Sequence, residues 1–216
     1  MKRTGEMMKK LNWLWLSLLV LPFALHAETP IEEGVHYFEL IQQQPTTAPD
    51  KVEVVELFWY GCPHCDKFEP FVKDWEAKKS DDVAFVRVPA TFRPIWEFHA
   101  RVYYAAELLG VVDKIHEPMF HAIHRDNQRL DSPAAVEAIF TEHGGVSSEQ
   151  FRKAFNSFSA VTKSRQAKLM VQRYEITGVP AIIVNGKYRV AGVGGFDQML
   201  KTVDYLVAME RAVVKQ

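Results

Sequence analysis

Two kinds of hydrophobic pattern alternate along the chain. Val52-Glu53-Val54-Val55-Glu56-Leu57-Phe58-Trp59 and the segment Val83 to Val88 are β-branched and aromatic runs, which predict two buried strands. Between them Phe68, Phe71, Val72 and Trp75 recur at three- and four-residue spacing, the signature of one helix face. Gly61 ends the first strand, and Pro63 takes the first helical turn, where its missing N–H costs nothing. Pro70 falls inside the helical pattern and predicts a lost bond to the Asp66 carbonyl and a kink. Upstream, Val35 to Leu40 reads as a short edge strand, followed by a polar loop with Pro45 and Pro49.

From Thr91 to about Lys168 strand patterns vanish and helical spacing takes over. Ile95, Phe98, Val102, Ala105 and Leu109 form one apolar face, stopped by Gly110. A second helix is expected between Asp113 and His124. Ser132-Pro133 gives a cap and a first-turn proline before Val136, Ile139 and Phe140. Ser147 to Gln150 fits a capping box ahead of Phe151 and Phe155. A long helix from about Ser159 to Tyr174 buries Ala160, Ala167, Val171 and Tyr174. Strand character returns after Gly178-Val179-Pro180. Ala181 to Val184 and Lys187 to Val190 flank Asn185-Gly186, a strong hairpin signal. A Gly-rich turn then leads into a last helix from Phe196 to about Arg211. The order predicts an α/β fold, a mixed sheet interrupted by an all-helical block.

The first residues follow another logic. Lys2, Arg3, Lys9 and Lys10 precede an apolar run from Leu11 to Leu25 that ends in Leu25-His26-Ala27. A charged start, an apolar middle and a small-residue exit predict a secretory signal peptide over 1–27, with Ala24 as the alternative cleavage point. The run is shorter than the ~20 residues that span a bilayer. The composition is that of an ordinary globular protein, 48% hydrophobic and 25% charged. A formal net charge of -1 gives no reason to expect nucleic acid as a partner.

Export changes the meaning of the only two cysteines, Cys62 and Cys65. Outside the cytosol thiols meet an oxidising environment. A Cys-x-x-Cys loop is too short to constrain the unfolded chain much, so the pair is expected to do chemistry. The strand–Cys-x-x-Cys–helix order places Cys62 at a helix N-terminus, where free N–H groups and the dipole favour an anion. Cys62 is thus expected to be exposed and low in pKa, and Cys65 to be buried one turn on. A stabilised Cys62 thiolate favours the dithiol over the disulfide, which makes the disulfide a strong oxidant. A zinc site would need two further ligands, with only His121 and His124 as a nearby pair; none is expected. A c-type haem site would need histidine where Asp66 stands. An inert structural cysteine pair is the remaining bland reading.

Glu56-Leu57-Phe58-Trp59-Tyr60-Gly61-Cys62-Pro63-His64-Cys65, together with Thr177-Gly178-Val179-Pro180-Ala181 and Val184-Asn185-Gly186-Lys187-Tyr188, resembles the DsbA family of bacterial periplasmic disulfide oxidases. The resemblance implies a thioredoxin fold, a central mixed sheet flanked by helices, with an inserted helical domain. The parts would be 28–91 and 169–216 for the thioredoxin-like domain and 92–168 for the insert. It further implies Cys62 and Cys65 as the catalytic, redox-active disulfide. Pro63, His64 and the buried acid Glu56 would tune it, with Glu69 and Arg87 as charged neighbours. Val179-Pro180, with a cis proline, would bind substrate. The implied activity is dithiol oxidation in the periplasm, without cofactor, by a monomer. The implied partners are unfolded exported proteins with reduced cysteines and a DsbB-like, quinone-linked membrane oxidase. Gly61 departs from the bulkier aromatic of some members. Trp59, Tyr60, Phe92 and Trp96 are candidates for a substrate groove or for core. Competing expectations are a disulfide reductase or isomerase, although no room remains for a dimerisation domain, and a non-redox chaperone or metal carrier using the same groove.

Overall fold

The computed structural model describes residues 30–214, so the expected leader over 1–27 lies outside the described residues. Five strands form one sheet: β1 (Tyr37–Glu39), β2 (Val52–Phe58), β3 (Val83–Pro89), β4 (Ala181–Val184) and β5 (Tyr188–Val190). Their order is β1-β5-β4-β2-β3; β2 and β3 are parallel and the other pairs antiparallel. The parallel pair needs a crossover. Helix α1 (Pro63–Lys78) supplies it and runs on through Pro70. Asn185, at φ 52, and Gly186, at φ 61, make the tight turn between β4 and β5.

Five helices separate β3 from β4: α2 (Pro94–Leu109), α3 (Val112–His124), α4 (Pro133–Glu142), α5 (Ser148–Phe155) and α6 (Phe158–Arg173). Their ends obey local chemistry. Gly110 stops α2 at φ 66, where a side chain would strain the backbone. Ser132 caps α4, and Ser147 with Gln150 closes a full capping box on α5. Helix α6 is unbroken across residue 168. Helix α7 (Gly195–Val214) closes the chain.

Side chains of β2 and β4 alternate between two cores. Val54, Ile182 and Val184 pack with Phe68 and Val72 of α1 and with Val203, Leu206 and Val207 of α7. Val55, Leu57 and Ile183 pack with the helical block, around Val102, Ile115, Phe140 and Phe151. Three expectations need correction. Strand β3 is an edge strand with a half-buried middle, because only β2 pairs with it. Phe71 is exposed and leans on Phe196. The buried face of α2 is broader than its apolar stripe and includes His99, Tyr103 and Tyr104.

Candidate active site

The turn after β2 is tied down by backbone bonds: Ala90 N–H donates to the Phe58 carbonyl at 2.8 Å, and Cys62 N–H to the Trp59 carbonyl at 2.9 Å. Cys62 is itself the N-cap of α1, with extended backbone (φ -90, ψ 116), and its sulfur accepts from the Cys65 N–H at 3.4 Å. The Cys62 thiol donates to the Val179 carbonyl at 3.5 Å, and the Val179-Pro180 peptide is cis. Both cysteines are free thiols. Cys62 is 8% accessible and Cys65 is fully buried, so the sulfur expected to stand in the open is sheltered, with the Val179 loop against it. Pro63 and His64 are exposed.

The two thiols are driven apart electrostatically. Hydrogen bonding from Cys65 lowers Cys62 to about 6 against the opposing effect of burial, helped by the backbone N–H groups of Cys65 and His64 and by the His64 charge. Burial pushes Cys65 far up, and the hydrogen bond to Cys62 and the charges of Cys62 and Glu56 add to it. One sulfur is prepared as an anion and the other as a proton holder.

Beneath them lies a cluster of carboxylates around one guanidinium. Glu56 on β2 pairs in register with Arg87 on β3. Arg87 Nη2 donates to Glu69 Oε1 at 3.2 Å, and its Nη1 lies 3.0 Å from Glu76 Oε2. Its Nε lies 3.2 Å from Glu56 Oε2, but neither group finds a hydrogen-bond partner among the described residues. Glu56 is wholly buried, and burial raises its carboxyl, reinforced by the Glu69 charge and opposed by Arg87. Glu69 behaves oppositely. Burial works against its charge, yet the His116 hydrogen bond and the neighbouring His116, Arg87 and Lys73 charges hold it below the ordinary range.

A family model described as a DsbA-like thioredoxin domain matches residues 53–204. The chain belongs to the DsbA family. Its fold is the thioredoxin fold with a helical insertion, and it is a protein thiol:disulfide oxidoreductase. It is 43% identical to the thiol:disulfide interchange protein DsbA of Pseudomonas aeruginosa over 85% of this chain and 87% of that one. It is 41% identical to the DsbA of Azotobacter vinelandii over 84% and 86%. The crystal structure of Pseudomonas aeruginosa DsbA superposes with a TM-score of 0.81 at 41% identity, covering 86% of this chain and 97% of that one. The DsbA of Xylella fastidiosa gives a TM-score of 0.80 at 35% identity, covering 85% and 98%.

The aromatics flanking this DsbA motif divide between core and surface. Tyr60 is fully buried. Trp59 is half-buried and stacks on Trp96 with centroids 4.1 Å apart and planes 8° from parallel; the exposed Phe92 sits edge-on to Trp96. Trp59 Nε1 donates to His99 Nδ1 at 2.9 Å, and His99 Nε2–H donates to the Leu130 carbonyl at 2.8 Å. Those two bonds fix His99 as the neutral tautomer with its proton on Nε2. His124 donates to the Tyr60 carbonyl at 2.8 Å, whereas His121 faces Asp126. So His121 and His124 serve separate partners. Sequence reasoning brought Glu56, Glu69 and Arg87 to this DsbA site but missed Glu76, His99 and His116. Single histidines inside helical runs carry no pattern that marks them.

Proposed function

We propose that the chain is a periplasmic dithiol oxidase that gives its Cys62–Cys65 disulfide to exported proteins. A substrate thiolate attacks the Cys62 sulfur, the Cys62–Cys65 bond breaks, and Cys65 leaves with the electron pair and takes up a proton. A second substrate thiolate then attacks the substrate-side sulfur of the mixed disulfide. The substrate leaves oxidised, Cys62 leaves as a thiolate, and the enzyme holds the two electrons. The observation that carries this reading is the lowered Cys62 thiol beside a strongly raised Cys65. A stabilised thiolate is a good leaving group and favours the reduced form.

The other site residues fall into place around that step. Pro63 and His64 tune the sulfur between them, and Glu56 exchanges a proton with Cys65, with Arg87 and Glu69 as its charged neighbours. The Val179-Pro180 loop, with its carbonyl against Cys62, pairs with an extended substrate segment as an added strand. Residues 1–27 direct export, and the two thioredoxin-like parts enclose the helical block. Substrates are unfolded exported proteins with reduced cysteines, and a DsbB-like, quinone-linked membrane oxidase restores the disulfide of the monomer. Equilibration of the purified chain with glutathione buffers tests the direction. An oxidase comes out reduced at glutathione ratios that leave an ordinary protein disulfide intact. A potential near that of cytosolic thioredoxin overturns the reading in favour of a reductase. Cys62→Ser abolishes dithiol oxidation; a variant that still oxidises substrates removes Cys62 from the mechanism.

A further inference from the structure

The mechanism above uses Glu56 but leaves unexplained why the proton rests there. Three carboxylates, Glu56, Glu69 and Glu76, face the single guanidinium of Arg87. Of the three, the one to Glu69 is a hydrogen bond and the one to Glu76 is an ion pair at 3.0 Å. The third, to Glu56, is close without being a hydrogen bond, and both Glu56 oxygens lack a partner among the described residues. A fully buried carboxylate without a donor is costly, whereas a carboxylic acid is far less so. What frees Arg87 to serve the others lies on α3. His116 is buried in a box of Phe58, Tyr60, Tyr103 and Phe120 rings. Its Nδ1 lies 3.0 Å from the Tyr60 hydroxyl, and its Nε2 lies 3.3 Å from Glu69 Oε2. An ionised carboxylate only accepts, so Nε2 carries the hydrogen that Glu69 takes, while Nδ1 meets the Tyr60 hydroxyl. A continuous chain then runs Tyr60 to His116 to Glu69 to Arg87.

We propose that His116 is the positioning residue of this cluster: by donating to Glu69 it keeps that carboxylate ionised on Arg87 and leaves Glu56 as the carboxyl that carries the proton for Cys65. The groups facing the cluster are Cys65, Glu69, Lys73 and Glu76 from α1, Tyr103 from α2, Asp113, His116 and Glu117 from α3, Arg87 from β3, and Tyr60 from the turn. A surface cleft of about 320 Å³ is lined by Glu69, Glu76, Arg87 and His116, so the ionised side of the cluster meets water while Glu56 does not. The arrangement assigns the proton by position. The carboxyl beside His116, on the cleft, is charged, and the sealed one on β2 is neutral.

The test is a carboxyl-carbon NMR titration of the reduced protein, with Glu56 and Glu69 assigned through their Gln variants. In the parent protein Glu69 titrates at lower pH than Glu56. His116→Phe keeps a ring in the box and loses both hydrogen bonds, and the two midpoints then approach each other by about one pH unit, a tenfold change in relative proton affinity. His116→Gln, which keeps an N–H for Glu69, restores the separation. Midpoints unmoved in His116→Phe, or moved equally in the Phe and Gln variants, overturn the proposal. If His116→Phe does not fold, Glu69→Gln decides instead: with its anion removed Arg87 turns to Glu56, whose midpoint must fall, and an unchanged midpoint overturns the proposal. The inference rests on Glu56 being the relay for Cys65. That reading has its own readout, the pH profile of reoxidation by a small disulfide in Glu56→Gln. An unchanged profile removes the relay, while the titration still decides what His116 does.

Discussion

The thiol of Cys62 and the carbonyl of Val179 meet at 3.5 Å across 117 residues of sequence. The contact joins the N-cap of α1 to the loop before β4, and helices α2 to α6 lie between the two in the chain.

The Cys62 thiol sets a pH window for stability. Its ordinary value of 9.0 applies to the unfolded chain and about 6 to the folded one. A depressed acid stabilises the fold fully above the unfolded value, progressively less as pH falls, and not at all below the folded value. Reduced protein should therefore gain stability over Cys62→Ala between pH 6 and 9 and lose the advantage below 6. Denaturant unfolding across that range checks it, beside the thiolate absorbance. A midpoint at the ordinary value would remove the basis of the mechanism.

Gly61 makes room for an indole. A Cβ at this position would land against the six-membered ring of Trp59, which is held by its stack on Trp96 and its hydrogen bond to His99. Gly61→Ala should cost about 1–3 kcal/mol, as overpacking does. It should also change the near-ultraviolet circular dichroism of the tryptophan pair. A variant with unchanged stability and spectrum would show that the stack is soft.

His99 resists protonation because it is buried, and its Nδ1 must stay bare to accept from Trp59. Its folded value lies below the unfolded 6.5, so the unfolded chain binds the proton first. Stability tied to this residue is complete above 6.5 and falls as pH drops below it, by up to about 1.4 kcal/mol per pH unit. His99→Gln should flatten that slope in urea titrations. An unchanged slope would assign the acid sensitivity elsewhere.

Arg87→Met removes the only guanidinium bridging Glu56, Glu69 and Glu76 among the described residues. Breaking a largely buried set in this way costs about 3–5 kcal/mol near neutral pH. Glu69 sits below its ordinary 4.5 in the fold, so its share of the stability is full above 4.5 and is lost as pH falls through the lower, folded value. The deficit of Arg87→Met should therefore shrink in acid. A deficit independent of pH would point to lost packing over Phe85, where the guanidinium also rests.

Much of this was legible in the sequence because the periodicities, caps and turns are local. Asn185-Gly186, Ser132-Pro133 and the Ser147 capping box fall where their chemistry demands. What periodicity does not encode is what lies opposite. Val83 to Val88 has the composition of an inner strand, but its place at the sheet edge follows from how the chain returns through β4. Phe71 fits the helical spacing, yet no core lies under it. Cys62 was expected in the open because a helix start is usually solvated; the Val179 loop, distant in sequence, shelters it. His116 and His99 have significance only through Glu69 and Trp59 on other elements.

Because the Cys62 sulfur is also the cap of α1, the proposed exchange between dithiol and disulfide alters how that helix begins. As a thiolate it offers the Cys65 amide a full negative charge; as half of a disulfide it offers a poor, neutral acceptor. In the proposed cycle the sixteen residues of α1 are thus better capped after each reduction by substrate and less so after reoxidation, so the capping bond itself favours the reduced enzyme.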